Sequence, residues 1–521
     1  MSLRPGIYLP LAAAIFLLVC AVNALYHYRA DRWGVFASDY ESFHSRILVN
    51  KLYLKTRYLV DSKNDSACYA FGSSRLAAIP VWALGNNCYN FTHSGGLVVD
   101  HLRAVKTLLD NGIPIDDLFI ALDDLSYNKD PYSGELQLMR RAPPRNWLEW
   151  LGFVRLFLLR PLDIADLGLV TGHRVKQKTP RFIIDPDLDT ARIRDVYQKF
   201  KVDPSAQDAK FRKLKGMDEG DQYYGQSTIA ALDELKSLSE EHGFRLHAML
   251  LPLHYKTYLT RNYGWLYEFK EKTSAILPFH DFSGLHRFAI DNRYWRETSH
   301  FSAEVGDEVV AVVTGDKYPE GGIGRMVTPQ SLAALEADQQ ARDAVHIPEL
   351  ARREGLMALP TRFLEDWSKQ GLLMPLQGKS LAVGGVDLTR SDTLKFERGN
   401  THADRLGAIQ LPLRAGDFFV LGLSLESDSR SRLRIRLSHD EAQYLTAYRE
   451  QALMVEAGGQ RATFIGYASV DRPTLRVIMG GGDFGARWQA INLQKLDADW
   501  LSVLRSQLPL AVLATNTTSR H

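Results

Sequence analysis

Two short motifs carry residues whose types and spacing can do chemistry. The first is Gly72-Ser73-Ser74-Arg75, which follows the apolar run Ala67-Cys-Tyr-Ala-Phe71 without a break. A serine on a tight glycine turn at the carboxyl end of a strand is exposed. It can also lie at a helix N-terminus, whose free N–H groups stabilise an oxyanion. The second motif is Glu297-Thr-Ser-His300-Phe301. A histidine three residues after a carboxylate allows the acid to orient the imidazole, which then takes a proton from the serine hydroxyl. Between them, Asn90 and Gly95 belong to Cys88-Tyr-Asn-Phe91 and the turn after it. A side-chain amide and a backbone N–H there, with the Ser74 amide, can complete an oxyanion hole. Each motif also has a plainer reading: a Gly-Ser-Ser turn is more often only a turn, and Glu-x-x-His is often a solvated pair or a cap. Their order along the chain is the informative feature.

Reactive groups at strand ends need a parallel sheet to present them. Ala67–Phe71, Cys88–Phe91, Asp117–Leu122 and Arg245–Leu253 read as strands, and helical segments end at Asn111-Gly112 and His242-Gly243. Strands alternating with helices argue for an α/β domain over residues 66–325. Residues 135–220 interrupt the alternation as an insertion. In it, Trp147, Trp150, Leu151, Phe153, Val154, Phe157 and Leu158 are expected as core, with a face toward a membrane or a partner as the alternative. Residues 326–375 read as a helical linker. From 376 to 505 the texture changes to short alternating segments such as Phe418–Leu425 and Thr474–Met479, the pattern of an antiparallel sandwich or jelly roll.

The chain begins differently. Ile7 to Leu25 is almost purely apolar, about 19 residues against the ~20 that span a bilayer. It reads as a retained transmembrane anchor (7–25), followed by a juxtamembrane helical stretch (27–65) with Tyr40, Phe43, Ile47, Leu48 and Leu52 on one face. Cleavage after Val22-Asn-Ala24 and a buried core helix are the other readings. Apart from Cys20 only Cys68 and Cys88 are present, and a disulfide between them requires neighbouring strands and an oxidising compartment; two buried thiols are the alternative. Together these features point to the inner membrane, with the folded bulk in the periplasm. A net charge of +2 drives no binding to nucleic acid. There is no zinc spacing, phosphate loop or placed dinucleotide fingerprint, so no cofactor is expected.

The serine, glycine and histidine motifs in this order resemble the SGNH, or GDSL, hydrolase superfamily. The resemblance covers roughly residues 60–315. It implies Ser74 as nucleophile, with Ser73 in place of the family's aspartate, Gly95 as the oxyanion glycine, His300 as base and Glu297 where an aspartate is usual. The family's Gly-x-Asn block has no clean match; Asn128 lies near but in another setting. Leu251-Pro-Leu-His254 and His280-Asp-Phe-Ser-Gly284 look like segments of the membrane-anchored branch associated with acylation of envelope polymers. That branch includes relatives of the teichoic-acid D-alanylation protein and proteins that work beside membrane-bound O-acyltransferases. The β region resembles jelly-roll modules of the carbohydrate-binding kind that accompany some alginate acetyltransferases, and Trp488, Tyr444, Tyr448 and Arg436 offer stacking and hydrogen bonds to sugars.

The resemblance thus implies an O-acyltransferase that O-acetylates an exopolysaccharide or envelope polymer beside a membrane-bound O-acyltransferase partner. A carbohydrate esterase with the same triad, or a non-catalytic polysaccharide-binding or scaffold protein, are the alternatives. His93 beside the oxyanion turn, His254 after a strand end, and Arg75 are weaker candidates for lining the cleft.

Overall fold

A computed structural model describes residues 5–36, 49–62, 66–161 (without 86 and 133–134), isolated positions between 187 and 211, and 223–358 (without 261–262 and 318–322). From 367 to 502 it describes the strands given below and adjoining turns. Most of the expected insertion beyond 161, and Tyr40, Phe43, Ile47 and Leu48 of the juxtamembrane stretch, lie outside the described residues. The chain is a mixed α/β protein.

Among the described residues its first part holds eight strands: β1 (Cys68–Phe71), β2 (Cys88–Asn90), β3 (Asp117–Leu122), β4 (Arg245–Leu250), β5 (Phe279–Asp281), β6 (Trp295–Glu297), β7 (His300–Phe301) and β8 (Arg325–Val327). The main sheet has the order β2-β1-β3-β4-β5-β8, parallel except for β8, while β6 and β7 form a separate antiparallel pair. Side chains alternate across the sheet. On one face Tyr69, Phe71, Leu118, Ile120, Leu122 and Leu250 share a core with α3 (Val98–Asp110) and α6 (Gly225–His242). On the other, Cys68, Ala70, Phe119, Ala121 and Met249 pack with Val305 and Val309 of α9 (Ala303–Val313). Burial on both faces explains why these strands read as continuous apolar runs rather than as alternating ones. The order 2-1-3-4-5 places a topological switch point between β1 and β3, the usual place for a binding crevice at the carboxyl ends of the strands.

The other α-helices described in full are α1 (Pro5–Ala30), α2 (Lys51–Ser62), α4 (Leu125–Asn128), α5 (Trp147–Leu158), α7 (Tyr255–Thr260), α8 (Tyr263–Ile276) and α10 (Leu332–Glu354). Within α1, Leu9–Ala30 is long and apolar enough to cross a membrane, with a mean hydropathy of 2.2. Leu9, Ile15, Phe16, Leu17, Leu18 and Val19 are exposed, so α1 is not a core helix; by length and composition it suits a membrane anchor or a signal sequence. The expectation of core packing holds for Phe153 and Phe157 but fails for Trp147, Trp150 and Leu151, which are exposed, as is Leu148 between them. Only one stripe of α5 meets the small cluster of Trp33, Val35, Leu138 and Met139.

The C-terminal part is antiparallel. One sheet runs in the order Leu373–Pro375, Arg487–Leu496, Phe418–Ser427, Gly458–Tyr467, Leu356–Ala358, with Leu394–Lys395 also on Arg487–Leu496. A second runs Arg405–Gln410, Thr474–Gly480, Ser431–Ser438, Tyr448–Val455, and Ala382–Val383 pairs with Val386–Asp387 in a separate two-stranded ribbon. The stretch read as a linker contains α10, and it also supplies Leu356–Ala358 and Leu373–Pro375 to the first sheet. Ile347 and Leu350 of α10 belong to one core with Phe418 and Ile465 of that sheet. Trp488, Tyr448 and Arg436 lie in strands; Tyr444 is outside the described residues.

Cys68 and Cys88 sit directly opposite one another on β1 and β2 and form a disulfide, with Cα atoms 4.3 Å apart and 20 residues of separation. Closing a loop of this size restricts the unfolded chain by about 3 kcal/mol. The Cys68→Ala/Cys88→Ala variant is therefore expected to be less stable than oxidised wild type by about that amount. Its stability should match wild type unfolded under reducing conditions. Urea unfolding followed by circular dichroism checks this, and equal stability of the oxidised proteins would deny the bridge any stabilising role.

Candidate active site

The chain leaves β1 through Gly72 and Ser73 and enters a short 3-10 helix, Ser74–Ala78. A Cβ at Gly72 would stand 2.9 Å from both Ala121 Cβ and Leu76 Cβ, so only glycine lets the turn press against β3. Ser73 caps the helix, its hydroxyl accepting from the Arg75 N–H at 3.3 Å while donating to Asp123 Oδ2 at 2.5 Å. Ser74, the next residue, stays partly exposed.

Opposite it stands the β6–β7 hairpin, which pairs Glu297 with His300 across its turn. Ser74 Oγ lies 2.8 Å from His300 Nε2, and His300 Nδ1 is bonded to Glu297 Oε1. With Nδ1 donating to the carboxylate, the neutral ring presents the Nε2 lone pair to the serine hydroxyl. Burial pushes the Glu297 carboxyl up, but His300, the Ser299 N–H and Arg75 together hold it below the usual carboxylate range. The second oxygen of Glu297 takes the Ser299 N–H at 2.9 Å. Serine, imidazole and carboxylate thus form one hydrogen-bonded series able to move a proton off the hydroxyl.

Arg75 was expected to line the cleft; its guanidinium is instead buried. It ion-pairs with Asp124, lies 3.3 Å from Asp123, and donates through Nε to Ser299 O at 2.9 Å. Burial disfavours its charge, but the two carboxylates more than compensate and keep it protonated. Burial likewise pushes Asp123 up, with Arg75 pulling against it. Asp123 and Asp124 directly follow β3, on the other side of the switch point.

The turn after β2 completes the surroundings. Gly95 has φ +61, the left-handed region that glycine enters without strain. Its carbonyl accepts from Arg140 Nη1 at 3.3 Å; Arg140 is fully buried, donates to Pro131 O at 2.7 Å and pairs with Asp100 at 3.1 Å. The backbone N–H of His93 donates to Gly72 O at 3.3 Å, which ties this turn to the serine turn. Asn90, expected as an oxyanion donor, is committed to other partners: its oxygen accepts from the Thr92 N–H at 2.7 Å, and its amide donates to Thr190 at 3.1 Å. Buried Lys55 of α2 holds the Asn90 and Thr92 carbonyls at 2.6 and 3.1 Å. His93 and His254 are core residues. His93 Nδ1 faces Phe91 O at 2.9 Å, and His254 bonds to Asn292 and packs on Trp295. Asn128 is buried at the end of α4, and no hydrogen bond joins it to Ser74. Sequence reasoning missed Asp123, Asp124, Arg140 and Lys55; only the paired acids directly after a strand offered a signal.

No family model matches the chain, and no curated protein matches it. Solved structures show weak similarity. A carbohydrate-binding module described as "CBM4 structure and function" is 14% identical, with TM-score 0.18, over 24% of this chain and 84% of its own. The BiXyn10A CBM1 module is 11% identical, with TM-score 0.17, over 24% and 88%. The capsular polysaccharide assembling protein CapF from Staphylococcus aureus is 11% identical, with TM-score 0.15, over 80% and 95%. Overlaps this loose carry no argument about what this chain does.

Two outcomes follow from the geometry. Glu297→Gln keeps the shape but loses the charge that orients and supports His300. It is expected to slow labelling of Ser74 by a fluorophosphonate about 10²–10⁴-fold, read from labelling time courses; an unchanged rate would leave Glu297 outside the proton path.

The second concerns acid stability. Burial holds His93, His254 and His286 at about 3 and His346 at about 4. Below about pH 6.5 the unfolded chain protonates these rings while the folded chain does not, so stability falls on acidification. Asp100, raised to about 6 by burial, works in the opposite sense but is outnumbered. Denaturant unfolding should therefore show a loss of stability beginning near pH 6.5. His286→Gln should shallow that slope by up to about 1.4 kcal/mol per pH unit. Stability that stays flat down to pH 5 would contradict this.

Proposed function

We propose that the chain is a membrane-anchored O-acyltransferase of the SGNH type, working outside the cytoplasm on hydroxyls of a polysaccharide. The observation that carries the reading is the Ser74–His300–Glu297 series at the β1/β3 switch point, with Gly95 on the adjoining turn. The Cys68–Cys88 bridge supports an oxidising compartment, and the apolar α1 supports attachment to a membrane. The polymer acceptor, a membrane-bound acyltransferase as donor partner, and a jelly-roll module that keeps the polymer near the cleft rest on the family resemblance.

In this mechanism His300 Nε2 takes the Ser74 proton as Oγ attacks the donor's acyl carbonyl. The backbone N–H groups of Ser74 and Gly95 receive the oxyanion. Collapse expels the donor's leaving group, which His300 protonates, and leaves an acyl-serine. A sugar hydroxyl then gives its proton to Nε2 and attacks the ester; collapse returns the proton to Ser74 and releases the acylated sugar. Glu297 holds the ring through both halves.

Mass spectrometry of the full chain in detergent after exposure to p-nitrophenyl acetate tests this. Acetyl on Ser74 is expected in wild type, none at that position in Ser74→Ala, and strongly reduced acetyl in His300→Ala. Adding an oligosaccharide should discharge the adduct onto the sugar. Discharge to acetate alone would make the chain an esterase, and no adduct on a folded protein would remove independent catalysis.

A further inference from the structure

The first two turns of α5 expose Trp147, Leu148, Trp150 and Leu151, at 69%, 62%, 54% and 49%. Single exposed apolar residues are ordinary, but four within five positions, two of them tryptophan, form a patch. The other side of the helix is fixed by Phe153 and Phe157, which pack edge to face with Trp33 and Phe36 just beyond α1. The C-terminal end of α5 is tied to α1 itself. Asn23 Nδ2 donates to the carbonyls of Leu158 and Arg160, both at 3.0 Å, and His27 Nε2 lies 3.1 Å from Arg160 O. The Arg160 guanidinium sits over the Trp33 ring at 4.5 Å.

These contacts fall on the last two turns of the apolar helix, where a span reaches the membrane–water interface. Tryptophan concentrates at that level, and a helix with one aromatic-apolar face lies there in the interface plane. We propose that the first turns of α5 are an interfacial contact with the lipid bilayer that α1 crosses. This rests on the reading of α1 as a membrane anchor. The body would then be held at two points, the span and α5, which limits its swing about the residues after Ala30. The same region reaches the site's scaffold: Asn50, at the start of α2, donates to the Leu138 and Arg141 carbonyls at 3.0 and 2.8 Å, and Lys55 of α2 braces the Gly95 turn.

The test uses full-length protein in vesicles of phosphatidylethanolamine and phosphatidylglycerol, with an environment-sensitive nitrobenzoxadiazole dye on one thiol at a time. The bridge between Cys68 and Cys88 leaves Cys20 as the native site. Two further samples carry Leu148→Cys or Ser237→Cys in a Cys20→Ser background; Ser237 is exposed on α6. Quenching is measured with lipids bearing a doxyl group near the headgroup or deep in the acyl chain, and with aqueous iodide. Dye at 148 should lose emission to the lipid quencher and resist iodide, dye at 237 should do the opposite, and dye at 20 should be quenched by lipid. Quenching by lipid at 20, with 148 behaving like 237, would overturn the α5 contact while leaving the anchor standing. No lipid quenching at 20 would overturn the anchor and this inference with it. Shielding of 148 from both quenchers would mean that protein covers the patch, which also overturns a lipid contact.

Discussion

The arrangement depends on one buried cation. Arg75 follows Ser74, yet its side chain turns inward between Asp123 and Asp124 and reaches the carbonyl of Ser299, next to His300. Three segments far apart in sequence meet at this one guanidinium: the turn after β1, the end of β3 and the β6–β7 hairpin. A guanidinium presents N–H groups in several fixed directions, so it can satisfy two carboxylates and a carbonyl at once, where an ammonium offers a single compact charge. Removing one partner would strand the others without compensation, a cost of about 3–5 kcal/mol for a buried pair. The separation of Ser74 Oγ from His300 Nε2 is therefore set by charges buried beneath the pair.

The opposite wall repeats the device. Arg140, paired with Asp100, holds the Gly95 carbonyl, and Lys55 holds the carbonyls of Asn90 and Thr92. In each case a buried cation is spent on backbone oxygens of a turn. A turn has few hydrogen bonds of its own, and carbonyls turned inward need donors. Charged donors are stronger than neutral ones, which suits positions where a loop must hold a reactive geometry. Rigid walls around a partly exposed Ser74, His300 and Glu297 give the constellation preorganisation without sealing it from a substrate.

Much of this was legible in the sequence, and the limits have physical causes. β1 to β4 were readable because strands buried on both faces are continuous apolar runs, and α3 and α6 because glycine follows each of them. β5 was not: Phe279–Asp281 is three residues long with one apolar side chain. Ser74, His300, Glu297 and Gly95 were singled out because their types and order carry chemistry, and hydrogen bonds join the first three in the structure. Arg75 and Asn90 were seen but misread, since sequence shows that a side chain is polar, not whether it points outward. Arg140 and Lys55 were invisible for the same reason, as neither stands out in sequence from neighbouring cations such as Arg141, Lys51 and Arg57. The exposed start of α5 was read as core because composition does not tell a helix packed on protein from one with an uncovered face.

The glutamate at 297 looks like a departure from a shorter acid, and the hairpin gives it a rationale. Glu297 and His300 face each other across a tight turn, so the carboxylate must both reach Nδ1 and cap the turn. Its two oxygens divide the work: Oε1 takes the ring, and Oε2 takes the Ser299 N–H. An aspartate, one methylene shorter, would have to reach both groups from further back on β6. Arg75 grips the same turn from the other side through the Ser299 carbonyl. Ser299 thus links, through its N–H and its carbonyl, the acid bonded to the histidine and the cation beside the serine, so a shift in either would be felt by both Ser74 and His300.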